Sequence, residues 1–300
     1  MHQLIFPFAV FRSVHFISKY SATFVLCILL FSPSLSADTV KLKLPGTKVA
    51  TATWIEGSKA HPAIIVLHGF LQTRTFRATS NIIEGLSSQG YAILGPNLSL
   101  GISSRQQSMQ CKAAHQHTFG GDLKEIQLWV RWLKAKGFKS FIIVAHSWGS
   151  KHGLGFSNSF PEVPVKAVIA ISLIPPSIAK VAQDKQISYA QKQLANKSAS
   201  LQKYKLSYCK QFTSTPASYL SYASWGKKKI ISNLLKLEKR KVPVYVILGS
   251  SDRRVSADWI ATMKKHSKLI VVKGANHFFS SVHELELTDK LEAILGKMAQ

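Results

Sequence analysis

The segment Ala145-His146-Ser147-Trp148-Gly149 limits the possible folds of this chain more than any other feature of the sequence. It follows an apolar, largely β-branched run, residues 141–144, and precedes a stretch of small residues that suits a helix. This order predicts a buried strand, a sharp turn and a helix. Such a turn strains the backbone of the central serine and exposes its hydroxyl, and it requires small neighbours.

Two more predicted strands end in residues that can carry chemistry. The apolar run 244–249 leads to Asp252, and the run 268–272 leads into a loop that contains His277. A serine is a poor nucleophile unless a base takes its proton, and a carboxylate commonly orients that base. The chain order is therefore Ser147, then the acid, then the base, each just past a predicted strand.

This order resembles that of the α/β-hydrolase superfamily and differs from the orders found in chymotrypsin and subtilisin. The resemblance covers residues 39–299. Residues 95–103 also resemble the family's P-D-x-x-G-x-G-x-S turn, with Asn97 and Leu100 as departures. The turn around Ser147 departs once more, because Ala145 stands where the family usually has glycine.

The pattern predicts an α/β fold: a mainly parallel, doubly wound α/β-hydrolase sheet with an N-terminal antiparallel hairpin and a helical lid insertion. The hairpin is predicted from residues 40–44 and 48–55, which alternate polar and apolar side chains around a Pro-Gly-Thr turn. Asp122 and Glu125 have the spacing of a capping box, which predicts that a helix begins with Asp122 as its N-cap.

The chain is expected to divide into a signal peptide, residues 1–37, an α/β-hydrolase core, residues 38–175 and 242–300, and a lid, residues 176–241. The first segment combines basic residues, a short apolar run and small residues near position 36, which is typical of export to the periplasm or beyond the cell. An uncleaved anchor is the alternative, although the apolar run is short for a membrane span.

The net charge of +25 is concentrated in residues 176–241, which we call the basic segment. It holds fourteen Lys and Arg against two acidic residues, a net charge of +12. Such a surface favours anionic partners, of which a membrane surface or an acidic substrate is expected here. A solvated lysine-rich surface is the alternative. The sequence carries no nucleic-acid-binding motif, so no nucleic-acid partner is expected.

Cys111 and Cys209 remain if the signal peptide, which contains Cys27, is removed. An even number of cysteines in an exported chain predicts one disulfide, with two buried thiols as the alternative. Cys111 also has metal-like spacing to His115 and His117, but no fourth ligand is nearby. The resemblance implies neither a metal nor a cofactor.

The resemblance also implies a role for each site residue. Ser147 would be the nucleophile, His277 the base and Asp252 its orienting acid, with Asp258 as the alternative acid. The oxyanion hole would use the backbone N–H groups of Trp148 and Phe70, with Leu71 as the alternative to Phe70. His146 and His152, which flank the serine turn, are expected to serve in packing or in support of neighbouring site residues rather than in catalysis.

The expected function is that of an exported serine hydrolase that cleaves a small-molecule or lipid ester through an acyl-enzyme. An acyltransferase would use the same residues. The alternative of another class is a noncatalytic envelope protein that binds anionic surfaces through the basic segment.

Overall fold

A computed structural model describes residues 37–175 and 180–299. Within these residues the strands are β1 (Ala37–Lys43), β2 (Val49–Ile55), β3 (Ala63–Leu67), β4 (Ile93–Asn97), β5 (Phe141–His146), β6 (Val165–Ile171), β7 (Gln202–Leu206), β8 (Cys209–Ser214), β9 (Val244–Gly249) and β10 (Lys268–Val272). The helices are α1 (Arg77–Ser87), α2 (Phe119–Ala135), α3 (Trp148–Ser159), α4 (Lys180–Ala195), α5 (Pro216–Ala223), α6 (Lys227–Lys239), α7 (Ala257–His266) and α8 (His283–Ala299).

Eight of these strands form one sheet in the order β1-β2-β4-β3-β5-β6-β9-β10. The pairs from β4 to β10 are parallel, whereas β1 pairs with β2, and β2 with β4, in antiparallel fashion. The predicted doubly wound sheet and N-terminal hairpin are therefore confirmed. Because parallel strands share a direction, the segments after β3, β5, β9 and β10 all leave the sheet at its carboxyl edge.

Helices cover both faces of the sheet, and the central strands are apolar on both sides. In β3, Ile65 and Leu67 pack on the face covered by α2, α3 and α6, while Ile64 and Val66 pack on the face covered by α1 and α8. All four side chains are fully buried. This two-sided packing fixes the central strands, and with them the carboxyl edge of the sheet.

Helix α2 corrects one prediction, because its N-cap is Thr118 and not Asp122. The Thr118 side chain accepts a hydrogen bond from the backbone N–H of Gly121, so the helix begins one turn earlier than the capping-box spacing indicated. Asp122 is instead a buried residue within the first turn, where it bonds to His152 and to Tyr222.

The basic segment contains α4, α5 and α6 as expected, but it also contains the antiparallel hairpin β7–β8. The segment is therefore not wholly helical, as the predicted helical insertion would be, and Tyr204 and Phe212 of this hairpin are buried. In both strands the buried aromatic residue is flanked by polar side chains. The polar composition of the segment is the reason that the strands were not recognised from the sequence. Helix α6 packs against α3, β9 and α7, so the end of the segment lies in the helical layer of the core.

A disulfide joins Cys111, in the loop after β4, to Cys209 at the start of β8. The two Cα atoms lie 5.5 Å apart, and the bond closes a sequence separation of 98 residues. The predicted disulfide is confirmed, and it ties the hairpin of the basic segment to the core beside the carboxyl edge.

Removing this disulfide is expected to lower stability. The double variant Cys111→Ala/Cys209→Ala should lose about 2–5 kcal/mol of unfolding free energy, because a long loop is no longer closed in the unfolded chain. Urea unfolding with and without reductant would measure the loss. The reduced wild type should match the double variant; equal midpoints for oxidised wild type and variant would contradict a stabilising bond.

The predicted signal peptide lies, but for Ala37, outside the described residues. Among the described residues no helix is both long enough and apolar enough to cross a bilayer.

Candidate active site

Ser147 occupies the turn between β5 and α3 in a backbone conformation that L-residues rarely adopt. Its φ of 56° and ψ of −117° lie outside the ordinary allowed regions, and its backbone N–H donates to the carbonyl of Ile171 in β6. Such a conformation costs about 1–3 kcal/mol and persists only where the surroundings enforce it. Ser147 is partly exposed, whereas its neighbours in the turn are buried.

Two glycines are required by close backbone approaches around this turn. A Cβ on Gly149 would lie 2.6 Å from the carbonyl oxygens of Leu67 and His68, so only glycine lets α3 pass the end of β3. A Cβ on Gly249 would lie 2.2 Å from the carbonyl oxygen of Ala275. The second contact brings the loop after β9 against the loop after β10.

The structure brings together the three residues predicted for the triad. The Nε2 atom of His277 lies 2.8 Å from Oγ of Ser147, and its Nδ1 lies 2.5 Å from Oδ2 of Asp252. A neutral imidazole in this position donates from Nδ1 to the carboxylate and accepts the serine hydroxyl at Nε2. This arrangement can draw a proton from the serine oxygen toward the imidazole.

Burial and the charge of Asp252 act in opposite directions on the pKa of the His277 imidazole. Burial lowers the pKa of His277, while the hydrogen bond and charge of Asp252 oppose that shift; the net effect is a pKa below the ordinary value. The imidazole is therefore neutral, and able to accept a proton, at neutral pH. For the carboxyl group of Asp252, burial acts to raise the pKa. The contacts of this carboxylate with His277 and Arg254 outweigh burial and bring the pKa of Asp252 to about 2.

Arg254 is a site residue that the sequence interpretation missed. Its backbone N–H and its Nε both donate to Oδ1 of Asp252 at 3.1 Å, which leaves Oδ2 for the imidazole. The alternative acid, Asp258, does not reach His277: it is exposed in the first turn of α7 and pairs with Lys227 at 2.6 Å.

Side chains at the ends of neighbouring strands hold the backbone of the loop that carries His277. The carbonyl oxygen of His277 accepts hydrogen bonds from Nε2 of His146 at 2.9 Å and from Oγ of Ser172 at 2.7 Å. His146 thus has a supporting role, since it fixes where the loop that carries His277 crosses the serine turn. Burial is the main reason that its pKa falls to about 3, so it remains a neutral donor.

The predicted oxyanion donors, Phe70 and Trp148, lie in the loop after β3 and at the start of α3. Trp148 is the first residue of α3, and the first N–H groups of a helix have no partner within the helix. The carbonyl of Gly69 accepts from the N–H of Gln72 and from Nδ1 of His68. This fixes the Gly69–Phe70 peptide, so the Phe70 N–H, on the opposite side of that peptide, points away from those donors.

His68 and Arg105 form the support of this loop. Nδ1 of His68 donates to Gly69, so its Nε2 must accept, and it lies 3.1 Å from the N–H of Leu98 and 3.2 Å from Nη2 of Arg105. Burial, with a smaller contribution from Arg105, lowers the pKa of His68 to about 3, which keeps the ring in this single neutral form. Arg105, also missed from the sequence, further donates to the carbonyl of Gln72.

The basic segment reaches the same loop through Tyr208. Its hydroxyl donates to the carbonyl of Phe70 at 2.9 Å, next to the disulfide at Cys209. The rings of Phe70 and Trp148 lie 4.9 Å apart, and Tyr222 of α5 lies 6.1 Å from each. Three aromatic side chains therefore lie beside the serine turn.

A buried polar network joins α5 to α2 and α3. The carboxylate of Asp122 accepts from the hydroxyl of Tyr222 and from Nε2 of His152, and Nδ1 of His117 lies 2.6 Å from the same hydroxyl. Burial alone would raise the pKa of Asp122, but its contacts with His117 and His152 outweigh burial and hold it well below its ordinary value. The network anchors the basic segment over the core.

The metal-like spacing of Cys111, His115 and His117 does not become a cluster. Cys111 is in the disulfide, and His115 stacks on Phe212 with ring centroids 4.2 Å apart. Within the described ranges, no group of three or more His, Cys, Asp or Glu side chains could hold a metal ion.

Comparison with protein families agrees with the fold. A family model described as the alpha/beta hydrolase fold matches residues 62–193, which include His68 and the serine turn. The chain has the α/β-hydrolase fold. Comparison with curated protein sequences found no match.

Solved structures share this fold at low sequence identity. Est1E from Butyrivibrio proteoclasticus is 18% identical with a TM-score of 0.62, over 88% of this chain and all of the other. A thioesterase domain from the curacin biosynthetic pathway is 17% identical with a TM-score of 0.57, over 87% and 99%. Alpha/beta hydrolase domain-containing protein 10 from mouse is 16% identical with a TM-score of 0.56, over 87% and 100%.

Proposed function

We propose that this protein of the α/β-hydrolase fold is an exported serine hydrolase that cleaves carboxylic esters through an acyl-enzyme. The observation that carries the proposal is the unbroken line of hydrogen bonds from Ser147 through His277 to Asp252. The strained backbone at Ser147 and the hydrogen bonds that hold the loop at Gly69 and Phe70 support the same chemistry. Similarity in fold to Est1E is consistent with this proposal.

In the first half-reaction, Oγ of Ser147 attacks the ester carbonyl carbon while Nε2 of His277 takes the serine proton. The carbonyl oxygen becomes an oxyanion, which the N–H groups of Trp148 and Phe70 stabilise. The bond to the alcohol then breaks, and the imidazolium gives its proton to the departing alkoxide. Asp252 stabilises the imidazolium throughout and keeps its own charge.

In the second half-reaction, a water molecule attacks the acyl carbon and gives a proton to His277. The bond from that carbon to Ser147 breaks, the acid leaves, and the proton returns to the serine oxygen. An acyltransferase would differ only here, because an alcohol or amine would replace water. Product analysis with and without an added acceptor separates these two activities.

Export to the periplasm or beyond the cell is part of the proposal. The N-terminal sequence pattern supports it, and so does the disulfide, because disulfides persist mainly in oxidising compartments.

A fluorophosphonate probe provides the first test. Such a probe reacts with an activated serine, so it should label the wild type at Ser147, as located by peptide mass measurement, and leave Ser147→Ala unlabelled. A screen of 4-nitrophenyl esters of increasing acyl length then defines the preferred acyl group. Absence of both labelling and hydrolysis would overturn the proposed enzymatic function. It would favour the alternative of a noncatalytic envelope protein that binds anionic surfaces.

One observation favours a surface-binding role, either as a second function or as the means of presenting substrate. The exposed face of α6 carries Lys228, Lys236 and Lys239 around the half-exposed Leu235. A basic helix face with an apolar centre suits an anionic membrane surface. Lys227 is less suited, because it is already paired with Asp258.

Salt is expected to separate the two kinds of substrate. Exposed charges are screened over about 8–10 Å at ordinary ionic strength, so kcat/KM for an ester in anionic vesicles should fall as salt rises. A small neutral ester in solution should be almost unaffected. The variant Lys228→Gln/Lys236→Gln/Lys239→Gln should reproduce the high-salt behaviour; equal responses of both substrates would indicate a merely solvated lysine surface.

A further inference from the structure

Lys151 is a buried cation one helical turn beyond the serine turn. It lies in α3, where only 2% of its surface is exposed, yet no acidic side chain of the described residues pairs with it. Its Nζ atom lies 3.7 Å from the ring centroid of Trp148. An ammonium group removed from water without a counter-charge is strongly unfavourable, so lysines are almost never fully buried unless paired.

The helix geometry directs this ammonium toward the site. Side chains on a helix lean toward its N-terminus, so the head of Lys151 lies over the preceding turn, which carries Trp148 and follows Ser147. The contact with the Trp148 ring agrees with that direction. Trp148 is also the residue whose backbone N–H is assigned to the oxyanion hole.

A second donor beside Lys151 also lacks a partner. The indole Nε1 of Trp148 is buried and has no acceptor in the described part of the chain, although an indole N–H usually finds one when buried. The Trp148 ring faces the ammonium of Lys151 but carries no net negative charge, so two adjacent donors, one of them charged, still lack an anionic acceptor. Burial lowers the pKa of Lys151 to about 7, which agrees with a cation that lacks its counter-charge.

We infer that Lys151 and the Trp148 indole bind an anionic group of the substrate, so that the enzyme prefers esters that carry a carboxylate or a similar small anion. The inference rests on the proposed esterase function and adds the substrate class to it. The aromatic surroundings of Phe70 and Tyr222 would then exclude water from the ion pair and strengthen it.

Kinetics with matched substrates test this inference. The anion can belong to the acyl part, as in 4-nitrophenyl hemiglutarate, or to the leaving group, as in 3-carboxyphenyl butyrate; 4-nitrophenyl butyrate and phenyl butyrate are their neutral counterparts. We expect Lys151→Met to reduce the ratio of kcat/KM for the anionic ester to that for its neutral counterpart by about 10- to 100-fold. The sensitive pair identifies which part of the ester carries the anion.

Three controls keep the result interpretable. Lys166→Met removes the same charge from the exposed start of β6, at the opposite edge of the sheet, and should leave the ratio unchanged. Lys151→Met should melt no lower than the wild type, because methionine fills the same space without a buried charge. Fluorophosphonate labelling tests the proposed serine hydrolase function separately. If the wild type is labelled but Lys151→Met leaves both kcat/KM ratios unchanged, the anion-binding role of Lys151 is overturned and the hydrolase function is not.

Discussion

Ser147→Ala is expected to reduce kcat/KM for a chromogenic ester by about 10⁴- to 10⁶-fold while leaving the fold intact. The Oγ atom is the proposed nucleophile, and no other described hydroxyl lies on Nε2 of His277. The hydroxyl is not a core group, so its loss should change the unfolding free energy by less than about 1 kcal/mol. Steady-state kinetics together with thermal unfolding measure both effects.

Ser157→Ala is the matched control for this prediction. Ser157 lies later in the same helix, and its hydroxyl bonds only to the carbonyl of Gly153, one turn earlier. It should retain activity close to that of the wild type. The mechanism would be contradicted if a folded Ser147→Ala retained most of its ester turnover, or if both serine variants lost activity equally.

The sequence was sufficient to place Ser147, Asp252 and His277 together, because each follows a strand whose apolar run is easy to recognise. Parallel strands deliver such residues to one edge, whatever the intervening sequence. The sheet itself was predictable for the same reason. By contrast, the predicted start of α2 was wrong, since Thr118 caps the helix one turn earlier and Asp122 is buried against His152 instead.

Residues that act through other residues could not be found from spacing. Arg105 and Arg254 lie in loops, and their hydrogen bonds to the oxyanion loop and to Asp252 depend on how those loops fold. Lys151 did leave a signal: it is the only charged residue of α3, in a helix of otherwise small, apolar or polar side chains. Its lack of a counter-charge, however, is visible only from three-dimensional neighbours.

Asp252→Asn is the second variant with a large expected effect, about 10³- to 10⁴-fold in kcat. An asparagine can present its N–H₂ group to Nδ1 of His277, which would move the ring hydrogen to Nε2. The ring would then direct a hydrogen at Ser147 and could not take the serine proton. Because the pKa of Asp252 is about 2, the carboxylate is ionised across the working pH range, and the loss should appear at every pH tested.

The pH profile and a second variant distinguish this role from a structural one. Asp252 raises the pKa of His277, so without its charge that pKa should fall further, and the acid limb of the residual kcat/KM should move to lower pH. Asp258→Asn removes an exposed carboxylate that pairs with Lys227 and should leave activity nearly unchanged. If Asp258→Asn were instead the inactive variant, with Asp252→Asn active and its acid limb unmoved, Asp258 would be the orienting acid.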